Sequence, residues 1–192
     1  MTTNTLTALL KPSSTTDDSI IIPFGPTLSY AKYSEEIERI AGLLAGAGMR
    51  PGRAVSIILP NSLEFMVLFL AVTRAGAVAA PLNSAYTLDE FKFFMEDADS
   101  QLAIVPPGAS LGRDAAHDLG ISVVDASLDG SSIVLDETGS TLVNSADAQP
   151  PSESDVALFL HTSGTTSRPK GVPLTHANLM TSITNIKNHY EL

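Results

Sequence analysis

Short apolar, β-rich runs alternate along this chain with stretches whose apolar residues recur at helical spacing. Strands are expected at 19–22, 27–30, 54–59, 78–82, 101–105 and 121–124. Helices are expected at 33–47, from Asn61 to Gly76, from Thr87 to about Asp97, and at 112–119. In the first helix Ile37, Ile40, Ala41, Leu44 and Ala47 form the apolar stripe, and Gly46, Gly48 and Pro51-Gly52 end it. Asn61 with Glu64, and Thr87 with Glu90, have the spacing of capping boxes. A β-α-β-α-β-α-β order calls for an α/β fold, with mostly parallel strands and helices on both faces. The continuous apolar run 54–59 suits a strand buried on both sides.

The rhythm stops at residue 127. Residues 127–155 are rich in Ser, Asp, Gly and Pro, with one short apolar run at 133–135, and read as a loop or linker. The expected organisation is a first α/β lobe over 1–126, the linker over 127–155, and the start of a second α/β lobe over 156–192. That last part is a strand from Val156, a loop, and a helix from Thr175 to about Tyr190. Such a unit lacks further strands to bury it, so the chain reads as the front part of a longer protein, with Leu179, Ile183 and Ile186 partly exposed.

The loop carries the chemistry. Thr162, Ser163, Thr165, Thr166 and Ser167 place hydroxyls around Gly164, followed by Arg168, Pro169, Lys170 and Gly171. Glycine lets backbone N–H groups approach an anion, hydroxyls donate to phosphate oxygens, and Lys adds a compact charge. A polyphosphate is the fitting ligand. A Walker A loop is excluded, because Lys170 follows Pro169 and precedes Gly171 instead of Ser or Thr.

Thr162-Ser-Gly-Thr-Thr-Ser-Arg-Pro-Lys-Gly171 resembles the phosphate loop of the adenylate-forming enzymes: acyl-CoA synthetases, aryl-CoA ligases, luciferases and adenylation domains. Leu28-Ser29-Tyr30, and residues 70–78 with Pro81-Leu82-Asn83, are similar to two further elements of that family. The stretch 158–175, together with Asn185-Ile186-Lys187 and Tyr190, resembles the oxalyl-CoA synthetases of plants and fungi. Ser167 stands where the family commonly has Gly.

The resemblance implies a ligase that joins a small carboxylic acid to coenzyme A through an acyl-adenylate, with ATP, Mg2+ and coenzyme A as cofactors or co-substrates. It implies ATP-phosphate contacts from Thr162, Ser163, Gly164, Thr165, Thr166 and Lys170, with Lys170 also catalytic. It implies no metal ligand within this stretch, with magnesium and coenzyme A held mainly further along the chain, and a cytoplasmic or peroxisomal enzyme. Two alternatives stay open: a truncated, non-catalytic product with at most weak nucleotide binding, and an unrelated nucleotide-binding module in which Lys170 grips phosphate without acyl transfer.

Composition narrows the rest. The 192 residues are 44% hydrophobic and carry a net charge of −10. No basic footprint for nucleic acid exists, and an anionic membrane surface would repel the chain. There is no cysteine, so disulfides and thiolate chemistry are excluded. No apolar stretch is long enough for a transmembrane span; 63–72 is the most apolar candidate. The hydroxyl-rich residues 1–14 read as a frayed terminus. His117, His161, His176 and His189 show no metal-ligand spacing. His161 is expected to pack at a strand end beside the loop, and His176 to lie near solvent in a first helical turn. Asp17-Asp18, Glu35-Glu36 and Glu96-Asp97-Asp99 are expected to be solvated, and no Gly-x-Ser-x-Gly elbow supports hydrolase chemistry.

Overall fold

A computed structural model describes residues 4–10, 17–162 and 169–191. Ten strands are described: β1 (Asp18–Ile21), β2 (Thr27–Ser29), β3 (Ala54–Ile57), β4 (Val78–Pro81), β5 (Ser100–Val105), β6 (Ser122–Asp129), β7 (Ser132–Glu137), β8 (Ser140–Thr141), β9 (Val156–Thr162) and β10 (Lys170–Thr175). Five α-helices accompany them: α1 (Tyr30–Gly46), α2 (Leu63–Arg74), α3 (Leu88–Asp97), α4 (Leu111–Asp118) and α5 (His176–Tyr190). Apart from the small β1–β2 hairpin, the strands form one eight-stranded sheet in the order β10-β9-β4-β3-β5-β6-β7-β8. The inner pairs β9–β4, β4–β3, β3–β5 and β5–β6 are parallel, and the pairs at both edges are antiparallel.

This order dictates where the helices go. From β3 the chain steps to β4 on one side through α2, then returns across β3 through α3 to β5, and onward through α4 to β6. Crossovers are right-handed, so reversing direction moves the helix to the opposite face. The two cores agree. Ile37, Ile40 and Leu44 of α1 pack with Val67, Leu68 and Val72 of α2 against Val55 and Ile57. Phe91, Phe94 and Met95 of α3 pack with Ala115 and Ala116 of α4 against Ala103 and Val105. All four residues of β3 are buried, as its unbroken apolar run requires.

Local signals set the helix starts. Ser29 Oγ accepts from Lys32 N at 3.3 Å. Thr87 and Glu90 form the expected reciprocal box, with Thr87 N donating to Glu90 Oε2 at 2.8 Å. The box expected at Asn61 is absent. Ser62 caps α2 instead, its Oγ accepting from Phe65 N at 3.3 Å. A hydroxyl on a short stem reaches this amide, and the helix begins one residue later than the spacing suggested. Ala47 lies just outside α1 as its exposed cap, so the buried stripe ends at Leu44.

Parts of two segments expected to lack structure are ordered. Residues 127–155 were expected to be loop, yet Ser127 to Asp129 extend β6, and β7 and β8 follow as a meander. The alternation that makes this possible is thin: only Ile133 and Leu135 of β7 point into the core. Glu36 of α1, expected to be solvated, is buried instead and fastens the meander. Its carboxylate accepts from Ile133 N at 2.5 Å and from Arg39 Nη2 at 2.6 Å, and Arg39 Nη2 also donates to Ile133 O. Burial alone would raise the Glu36 carboxyl; hydrogen bonds from Arg39 and Ile133, with the Arg39 charge, bring it below its ordinary value. Residues 142–148 then run back over α1, where Gly42 and Gly46 leave room for their backbone.

The start of the chain is also docked. Leu6–Leu10 form a 3-10 turn. Thr5 and Leu6 are buried, against the expectation of a frayed 1–14. The reason is a buried acceptor far along the sequence, His176, described next.

Candidate functional site

β9 and β10 pair as antiparallel neighbours, and the hydroxyl-rich sequence connects them. Lys170 pairs with Thr162 at the mouth, Gly171 with His161 one step below, and Pro173 with Phe159 below that. A helix was expected directly after the loop; instead β10 intervenes before α5. Its Pro173 is acceptable because β10 is an edge strand. Thr162 and Lys170 are both exposed, on facing strands at the turn's base. The other proposed phosphate contacts, Ser163, Gly164, Thr165 and Thr166, lie outside the described residues, as do Ser167 and Arg168.

β9 reaches the site by lying parallel to β4, with Ala79 opposite Leu158. Thr162, the last residue of β9, therefore lies at the carboxyl end of the parallel strands. A cavity of about 450 Å³ sits at the same end, lined by Asn61 after β3, Pro81, Asn83 and Tyr86 around the exit of β4, and Leu160 and His161 of β9. The cavity thus lies where the chain leaves β3 and β4, beside β9. The sequence motif Pro81-Leu82-Asn83 thus lines a cavity beside the turn. Its role as lining could not be read from the sequence, because it depends on β9 joining β4. A larger groove, about 790 Å³, lies over α1 beneath 141–148 and shares no residue with the turn. Its cations Arg39 and Arg74 are held by Glu36 and Glu38.

His161 packs at the strand end, as expected, but it also makes a polar contact. Its side chain is 6% exposed, with Nε2 2.9 Å from Oδ2 of Asp97 on α3. The ring lies 4.6 Å from Phe94 and 5.2 Å, edge-on, from Phe159. Asp97, expected to be solvated, is partly covered by this contact. His176 overturns its expectation more sharply. It is fully buried at the start of α5, its Nδ1 accepting from Leu6 N at 3.2 Å. Its backbone N–H donates to Asp155 O at 3.0 Å. Burial pushes the imidazole below its ordinary value, and the nearby Asp155 charge opposes this only in part. Thr175 caps the helix in a box with Asn178, Thr175 N donating to Asn178 Oδ1 at 3.0 Å.

Among the described residues no three His, Asp or Glu side chains gather as a metal site. No described helix is long and apolar enough to cross a membrane.

A mixed, mostly parallel sheet with helices on both faces defines an α/β protein. The chain belongs to the AMP-binding enzyme family, which matches residues 11–192. It is 49% identical to the oxalate–CoA ligase of Arabidopsis thaliana over 86% of this chain and 33% of that protein. It is 45% identical to a Humulus lupulus protein named "Probable CoA ligase CCL9" over 98% of this chain and 37% of that one. ATP-bound MatB from Rhodopseudomonas palustris superposes with a TM-score of 0.79 at 30% identity, over 98% of this chain and 38% of MatB. The chain thus spans about a third of the length of these relatives and corresponds to their N-terminal part.

Proposed function

We propose that these residues are the phosphate-holding part of an AMP-forming acid–CoA ligase, with oxalate as the first acid to test. The observation that carries this reading is the pairing of Thr162 with Lys170 at the two ends of the Gly/Ser/Thr sequence, beside the cavity at the exits of β3 and β4. The identity to an oxalate–CoA ligase and the likeness to an ATP-bound structure support it.

In the reaction, a carboxylate oxygen attacks the α-phosphorus of ATP. The α–β phosphoanhydride bond breaks, giving acyl-adenylate and pyrophosphate. The thiol of coenzyme A, losing its proton, then attacks the acyl carbon and displaces AMP. Lys170 and the hydroxyls of Thr162, Ser163, Thr165 and Thr166, with the backbone at Gly164, hold the β- and γ-phosphates. They oppose the negative charge that builds on the leaving pyrophosphate. The described residues offer no carboxylate cluster fit for magnesium, so no step here is assigned to a metal ligand.

We also take residues 156–192 as the beginning of a second lobe. β9 meets the first lobe's sheet through the single registered pair Ala79–Leu158, while β9 and β10 share six. The test is ATP–pyrophosphate exchange by the full-length protein with oxalate and other small carboxylic acids, followed by thioester formation with coenzyme A. Acid-dependent exchange is expected. Its absence with every acid would overturn the reading.

A further inference from the structure

The hydroxyl-rich sequence is joined to the sheet through the paired ends of β9 and β10 at Thr162 and Lys170. What stands at the base is an acid–imidazole contact reaching across from another helix. His161 is the last residue of β9 before Thr162, and its Nε2 lies 2.9 Å from Asp97 Oδ2. A carboxylate only accepts, so Nε2 carries the proton and donates. Asp97 is the final residue of α3. A carboxylate there is repelled by the negative end of the helix dipole, so its position is favourable only with a donor against it.

Gly171, directly opposite His161 on β10, completes the arrangement. A Cβ there would meet the Phe159 ring and come within 3.1 Å of Asp97 Oδ2. The missing side chain leaves the space that lets Asp97 approach the hairpin from α3. Phe159 covers the same gap, the way an aromatic shields an edge glycine. One carboxylate therefore bonds to His161 on one strand and stands beside Gly171 on the other, one residue below Thr162 and Lys170.

We propose that His161 and Asp97 are positioning residues for the phosphate turn: they fasten its base to α3 and so fix the separation and direction of Thr162 and Lys170. The proposal rests on the acid–CoA ligase reading. Neither side chain is placed on a phosphate; both act through the two residues above them. Misplacement of a catalytic group by about 1 Å costs up to about 10²-fold, so an effect on ATP is expected without one on the acid.

The test compares His161→Phe, which keeps the aromatic packing and removes the donor, with Asp97→Ala and Asp97→Asn in the full-length protein. ATP–pyrophosphate exchange gives KM for ATP and for the acid separately. His161→Phe and Asp97→Ala are expected to raise KM for ATP roughly tenfold, with KM for the acid and the melting temperature nearly unchanged. Asp97→Asn, which still offers an accepting oxygen, is expected to recover most of the loss. Backbone amides of Thr162, Lys170 and Gly171 should exchange hydrogen faster in His161→Phe. A merely structural role would lower the active fraction and the melting temperature and leave both KM values alone; that pattern, or wild-type KM for ATP in His161→Phe and Asp97→Ala, overturns the inference. Wild-type protein without any exchange overturns the ligase reading itself, and this inference with it.

Discussion

Leu6 donates its backbone N–H to Nδ1 of His176, a 3.2 Å bond across 170 positions of sequence. Only a neutral imidazole can accept it. Burial favours the same neutral form and holds the folded-state value below the ordinary 6.5. The unfolded chain therefore takes up the proton first as pH falls. The stabilisation is complete above about pH 6.5 and is lost progressively below it, down to the folded-state value. Stability measured by urea unfolding should fall as pH drops below about 6.5, and His176→Gln, which does not titrate, should flatten that slope. An identical slope in the variant would show that other groups, Asp155 among them, set the acid limb.

Thr138 sits in the two-residue turn between β7 and β8 at φ 51, beside Gly139 at φ 81. Two successive positive φ values mark a type I′ turn, in which Asn is favoured and a β-branched residue is strained. Thr138→Asn is expected to stabilise the protein by about 0.5–1 kcal/mol, read as a higher denaturation midpoint. A lower midpoint would mean that the Thr138 side chain contributes more than its backbone strain costs.

That turn also shows where the sequence was legible. The stripe of Ile37, Ile40, Ala41 and Leu44, the box at Thr87 and the buried run of β3 could be read because each is a local pattern of period or spacing. The β6–β7–β8 meander was missed although Asp129-Gly130 is a hairpin dipeptide, because its strands bury few residues and carry Ser and Asp on the open face. β10 was hidden behind the turn by Pro173. The hydroxyl-rich composition of the loop was visible in the sequence, whereas the packing beneath Thr162 and Lys170 was not. His161, Asp97 and Gly171 meet only because β9 pairs with β4 over the end of α3, and nothing local encodes that meeting. His176 read as exposed for the same reason, since its partner is at the other end of the chain.

Lys170 faces Thr162 at the mouth of the turn and is the single fixed charge among the proposed phosphate contacts. In the full-length protein Lys170→Ala should lower ATP–pyrophosphate exchange by about 10²–10³-fold, the usual effect of removing one preorganised contact to developing charge. KM for the acid should stay close to wild type, and circular dichroism should be unchanged because the side chain is exposed. Exchange at the wild-type rate would remove Lys170 from the site.

Gly171→Ala separates space from charge at the same place. Gly171 has an ordinary backbone φ, so an added methyl meets no conformational penalty. It meets matter instead: the Phe159 ring on one side and Asp97 Oδ2 on the other. The ring is wedged against His161 and is rigid, so relief must come from moving β10 or Asp97. Overpacking of this kind costs about 1–3 kcal/mol, and the melting temperature should drop accordingly. Because Asp97 also holds His161, displacement should reach the mouth of the turn and weaken ATP use as well. Adding Phe159→Leu to Gly171→Ala makes room for the methyl without touching Asp97. The double variant is expected to recover stability relative to Gly171→Ala, and the coupling can be read from a double-mutant cycle. If Gly171→Ala leaves the melting temperature unchanged, β10 yields easily at this edge and the close packing of Phe159 on Gly171 does not hold the hairpin.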